Sequence, residues 1–212
     1  MKNKRYSLLL VIQLLAILLV GAFSSDTWYT IGVSSIGVLF NFLVSVNNPI
    51  GFLFGVIYAI TNGLLAYEMQ IYATFVFMLF LQAPMAMYSF ISWRKKKKNT
   101  KSIMKEMPLK HIIGLSCFMV ALGGVMYFVL KASNSTSVLF DTIFFVFSVS
   151  ACLLLAFCYK NAYIITLMSG LGGTILWSYQ MITTGNGFSI AAFYLIVAIN
   201  SIIAVYEQYI RK

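Results

Sequence analysis

Acidic side chains are nearly missing from this sequence: Asp26, Glu68, Glu106, Asp141 and Glu207 are all that its 212 residues contain. Scattered in this way they form no carboxylate pair at one depth, which argues against an enzyme built on paired acids. Histidine is represented by His111 alone, at a segment boundary. The three cysteines, Cys117, Cys152 and Cys158, show no C-x-x-C spacing and read as small core residues. Neither G-x-S-x-G, H-E-x-x-H, a P-loop nor G-x-G-x-x-G occurs, and "GLGG" at 170–173 lacks the charged partner a phosphate loop needs. A retinal-type photoreceptor is excluded too, because no lysine lies inside a late apolar segment. The expectation is a non-enzyme with no metal and no cofactor. Charge of either sign is also scarce, at 9% of residues, roughly a third of the usual share for a soluble domain. A water-soluble core of this size would need a polar coat that the chain does not possess.

What is present is apolar sequence, 61% of the chain. A hydrocarbon layer about 30 Å thick is crossed by roughly 17 to 25 helical residues, and eight segments qualify: 7–23, 31–46, 50–67, 71–93, 111–130, 138–158, 163–183 and 188–206. The breaks between them carry turn chemistry, such as "VNNP", "YEMQ" and "TTGNG". Basic residues test the count independently. With the N-terminus cytoplasmic and the segments alternating, fourteen of the fifteen Lys and Arg fall on the cytoplasmic side, and only Lys131 falls outside. One missed helix would reverse every charge beyond it. The net charge of +10 therefore reads as a topology signal and an attraction to anionic lipid, with no nucleic acid implied. "WRKKKK" after residue 92 is an interfacial Trp followed by a basic anchor. The start "MKNKRY" could open a cleaved leader, but the segments that follow favour a retained first helix.

Polar groups at membrane depth are costly unless they face a protein interior or a wet cavity. Asn41, Gln82 and Asn200 each fall about ten to twelve residues into their segments, near the midplane at about 1.5 Å per residue. Asn62, Trp177, Tyr179 and Gln180 lie in outer halves, and Asp141 sits just inside the outer end of the sixth segment. Any one amide could serve helix packing, yet amides on several segments together favour a small-molecule cavity. Pro84 removes a backbone donor and crowds the Phe80 carbonyl, so a kink or local unwinding is expected beside Gln82. "GFLFG", with Gly51 and Gly55, fits a small-residue packing face. The basic loop isolates the fifth segment and leaves two triplets that both run from outside to inside. The expected organisation is an N-terminal helix and connection over 1–30, a first three-helix repeat over 31–93, a basic loop and linker helix over 94–136, and a second repeat over 137–212. Parallel repeats of this kind are a known transporter plan.

"NNPIG" at 47–51, "AYEM" at 66–69, "QAPMAMYSFISWRK" at 82–95, "FDTIFFVFSVSACLLLAFCYKN" at 140–161 and the "LW" ending at Trp177 together resemble the PnuC vitamin transporters over residues 31–210. Asn48 stands where that family commonly has Trp, Ser89 and Phe90 where it has Gly and an aromatic, and the last segment ends "VYEQY" without the usual Trp. The resemblance implies an all-α integral membrane protein of about eight spans, with a three-one-three parallel-repeat core like that of the SWEET sugar transporters. It implies residence in the cell membrane with both termini cytoplasmic, and assembly as a homo-oligomer, a trimer. It further implies facilitated uptake of nicotinamide riboside trapped by cytoplasmic phosphorylation, with thiamine or riboflavin as the alternatives. A membrane scaffold or assembly subunit is the reading from another class. The expected binding set is Gln82 and Asn200, one from each triplet, with Asn62 assisting and Trp177 stacking on the cargo ring, and Asn41, Tyr179 and Asp141 nearby.

Overall fold

Long apolar runs fold as helices in a bilayer because the lipid offers backbone groups no partner, so each segment must satisfy its own. The structure, a computed structural model, describes residues 2–99, 104–133, 135 and 137–210. Lys101, Arg211 and Lys212, three of the residues assigned to the basic side, lie outside the described residues. Among those described, the helices are α1 (Lys2–Phe23), α2 (Trp28–Ser45), α3 (Gly51–Glu68), α4 (Tyr72–Val76), α5 (Ala83–Asn99), α6 (Leu109–Ala132), α7 (Val138–Ala156), α8 (Ala162–Thr184) and α9 (Phe188–Val205). A π-helical stretch, Phe77–Gln82, joins α4 to α5, and a second, Tyr206–Ile210, follows α9.

Seven helical stretches are long and apolar enough to cross a membrane, Tyr72–Lys98 counting as one. The eighth expected segment is α8, 23 residues long but less apolar because Thr166, Ser169, Thr174, Gln180 and three glycines interrupt it. It lies between α7 and α9, where Ser169 and Gln180 are buried rather than lipid-facing.

Three of the expected breaks use one device. Asn47, Gln70 and Cys158 take left-handed backbone angles after α2, α3 and α7, and the next residue's N–H returns to a carbonyl five residues back: Asn48 to Leu43, Ile71 to Ala66, Tyr159 to Leu154. Such a turn satisfies the last carbonyls of a helix and reverses the chain.

α2 packs on α3 and α9, while α7 packs on α8 and on the α4–α5 span. Gly51 and Gly55 allow the close α2–α3 approach, because a Cβ there would come within 2.8 Å of Leu43 and Phe40. Across the two groups the pairing is reciprocal, and two carboxylates repeat it. Asp141, at the start of α7, accepts from the Ala73 and Thr74 N–H groups and the Thr74 hydroxyl at 2.7–3.2 Å, capping α4. Asp26, just before α2, accepts from the N–H groups of Gly187, Phe188 and Ser189 and from the Ser189 hydroxyl, capping α9. Each cap satisfies N–H groups that the first helical turn leaves open.

Around this core, α1 packs on α2 and α9. Leu130 is the one fully buried residue of α6, and Met119, Leu122 and Met126 pack half-buried against the core. The segment after α5 returns beneath α7: Lys105 N–H bonds Cys158 O at 2.8 Å, Lys160 N–H bonds Lys105 O at 2.9 Å, Trp93 Nε1 bonds Leu155 O at 2.8 Å, and Lys160 pairs with Glu106 at 3.5 Å. The described basic residues of 94–110 and Lys160 thus gather at one end of the bundle. Lys131 lies at the other, at the far end of α6.

Candidate functional site

Between the two groups of helices lies a cavity with about 680 Å³ of empty space, open solvent included. Its walls come from α2, α3, the π-helical stretch, α7, α8 and α9. Its lining runs from Val44, Ser45, Leu155 and Tyr163 toward the Lys-rich end to a floor of Tyr58, Phe144, Phe193 and Tyr194 near the middle of their helices. The floor is an aromatic cluster. Tyr58 and Phe193 rings lie 5.1 Å apart, Phe144 and Tyr194 5.1 Å, and Phe193 and Tyr194 4.9 Å. The Tyr58 and Tyr194 hydroxyls share a hydrogen bond of 3.0 Å that joins α3 to α9 across it. Hydroxyls also line the walls, Ser148 and Ser169 pairing at 2.7 Å. Among the described residues, no acid, histidine, lysine or arginine lines the cavity.

Gln82 lines the wall and is 9% exposed. Its position follows from Pro84. A proline ring displaces the carbonyl four residues back, and widening the turn accommodates it. The fourth span does not unwind, as the sequence left open, but swells into π geometry over Phe77–Gln82, with Ala83 N–H reaching Met78 O. Asn41 lines the same cavity from α2.

Beyond the floor, toward the other end, Asn62 and Trp177 are fully buried. Both face the Tyr194 hydroxyl, yet neither atom of the Asn62 amide nor Trp177 Nε1 has a partner at hydrogen-bonding distance and angle. Gly187 holds Trp177 in place: its φ is +101°, and a Cβ there would stand 3.2 Å from the indole ring.

The remaining candidates lie elsewhere. Asn200 does not line the cavity, because its amide faces α1 and α2: Gln13 Nε2 donates to Asn200 Oδ1 at 2.6 Å, and Asn200 Nδ2 donates to Gln13 Oε1 at 3.2 Å and to Asn41 Oδ1 at 3.1 Å. Asp141 is committed to capping α4, and Tyr179 is 38% exposed on the outer face of α8 beside Phe140. Depth along a helix places these residues at the right level but carries no azimuth. The aromatic floor and the serines do not stand out in the sequence, because tyrosines in apolar segments look interfacial and serines bond their own helix.

A sequence-family model described as "Nicotinamide mononucleotide transporter" matches residues 27–209. No curated protein matches the chain. Among solved structures, the "Crystal structure of the Vitamin B3 transporter PnuC" is similar, with 19% sequence identity, a TM-score of 0.81, and coverage of 94% of this chain and 88% of that one. The likeness is one of fold.

Proposed function

Because the chain belongs to the nicotinamide mononucleotide transporter family, and so to the multi-pass vitamin transporters of the membrane, we propose that it carries an unphosphorylated vitamin, nicotinamide riboside, into the cell by facilitated diffusion. The observation that carries this reading is the uncharged cavity lining. A phosphate leaving water needs fixed cations or several helix N-termini around it, and the lining supplies amides, hydroxyls and rings instead. A ribose fits such walls, and a pyridinium ring suits an aromatic floor. Cytoplasmic phosphorylation then traps the cargo, since the phosphorylated product meets a cavity with no counter-charge. The reading includes no coupling to protons: of the acids whose burial is described, Asp141 is the buried one, and it is committed to capping α4. The Lys-rich end faces the cytoplasm on the positive-inside rule, so both termini do and the cavity opens inward.

The reciprocal packing of α2, α3 and α4–α5 against α7, α8 and α9 supports two parallel repeats, 31–93 and 137–212, with cargo between them. Gln82 and Asn41 bond the cargo's polar part from the cavity. Asn62 and Trp177 engage it when the floor opens, which accounts for their unpartnered atoms.

The test is a binding titration of the purified protein against nicotinamide riboside, its mononucleotide, thiamine and riboflavin. Nicotinamide riboside should bind and the mononucleotide should not. Gln82→Ala, Asn62→Ala and Trp177→Ala should each weaken binding roughly ten- to a hundredfold, the cost of about 1 to 3 kcal/mol for one buried polar partner. Tight binding of the mononucleotide would overturn the choice of cargo. A folded protein whose affinity ignores all three substitutions would overturn the site.

A further inference from the structure

α1 precedes the region that the family match covers, and most of its surface is exposed. Its buried residues form a single stripe at helical spacing, Gln13, Ile17 and Gly21, with Leu10 and Leu14 packed half-buried beside it. One of these three is an amide, 6% exposed, on a helix whose other faces meet lipid. A buried amide costs free energy unless it is bonded, so an apolar residue would anchor α1 more simply. Gln13 makes two bonds, both to Asn200, and Asn200 makes a third to Asn41.

Gln13 and Asn200 exchange a reciprocal pair of bonds, and Asn200 passes a donor on to Asn41. Gln13 accepts one proton of Asn200 Nδ2 and donates to Asn200 Oδ1, which fixes the Asn200 amide plane. The second Nδ2 proton is then aimed at Asn41 Oδ1. With its oxygen engaged, Asn41 keeps Nδ2 for a partner in the cavity that it lines. We propose that Gln13 is a positioning residue for the cargo site: acting through Asn200, it makes Asn41 a hydrogen-bond donor to an oxygen acceptor, a hydroxyl or carbonyl, of an uncharged part of the ligand. The inference rests on the reading of this cavity as the cargo site. It gives α1 a part in recognition without contact with the cargo.

The experiment is a double-mutant cycle on the full chain, with nicotinamide riboside as the titrant. Gln13→Met keeps the length and apolar stem while removing the amide, and Asn200→Leu breaks the link from the other side. Each is measured with Asn41 intact and with Asn41→Ala. Either substitution should weaken binding roughly three- to tenfold with Asn41 present, as expected for one hydrogen bond, and should have no further effect once Asn41 is alanine. Equal weakening in both backgrounds, or none in either, overturns the proposal and leaves the amides as helix-packing bonds. If the wild type binds no nicotinamide riboside, the cargo reading fails separately. The relay is then read from side-chain NH₂ resonances of ¹⁵N-asparagine-labelled protein, that of Asn41 being identified by its loss in Asn41→Ala. Gln13→Met should shift it, and an unmoved Asn41 resonance would overturn the relay.

Discussion

A carboxylate buried in a membrane protein needs hydrogen-bond donors, and Asp141 finds three of them at the start of a helix from the other triplet. Removing it leaves the Ala73 and Thr74 N–H groups without an acceptor in a site where Asp141 itself is 0% exposed. Asp141→Ala should lower stability by about 1 to 3 kcal/mol, and Asp141→Asn by less because one acceptor remains. Thermal unfolding in detergent reads this, and an alanine variant that melts with the wild type would show the cap to be dispensable. Sequence reasoning puts Asp141 at the correct outer level and assigns it to the cargo, since an acid inside an apolar segment usually marks a pathway. Its partners are 67 and 68 residues away, and no local pattern announces them. The same limit applies to Asn200, whose partner Gln13 lies 187 residues earlier. Asn41 and Gln82 are legible because depth and a nearby turn or proline bring them to the wall.

At the scale of the element, the fourth span shows how one residue redirects several. The π-helical stretch inserts extra backbone ahead of Pro84, and the face downstream carries buried Ala86, Ser89 and Trp93 toward α3 and α7. Successive residues of a helix are about 100° apart. A fourth span that reverted to regular α-helix would therefore turn Gln82 away from the cavity or turn Trp93 away from its Leu155 carbonyl. Pro84→Ala removes the reason for the wider turn. It should weaken cargo binding roughly tenfold, the equivalent of losing the Gln82 contact, while the helix content by circular dichroism stays the same. Unchanged affinity would mean that the π geometry stands without the proline. The sequence announces a disturbance here but not its form, because kink, unwinding and π-turn all answer the same missing N–H.

For the whole molecule, hydropathy and the distribution of lysines and arginines carry the reading furthest, since a bilayer permits few alternatives to straight spanning helices. α8 tests that logic: its polar residues lower its apolar character, and its place between α7 and α9 explains why they are tolerated. How the helices pair is less legible, because α2 meets α9 across more than a hundred residues of chain and α7 meets the fourth span across the whole basic loop and α6. The unpartnered atoms of Asn62 and Trp177 have a consequence for the transport cycle. On the proposed inward-opening reading they are buried beyond the tyrosine pair without a well-aligned hydrogen bond, a loss of up to about 1 to 3 kcal/mol for each group left unbonded. When the bundle opens to the other side, water reaches them and that cost disappears. On that reading an empty carrier would be biased toward the outward-facing form, a spring that returns it after each release. Asn62→Leu should slacken the spring, holding empty protein inward and raising thiol labelling of Ser45→Cys from the cytoplasmic side. Labelling that is the same with and without the Asn62→Leu substitution would mean that the return is driven by something other than these buried amide and indole groups.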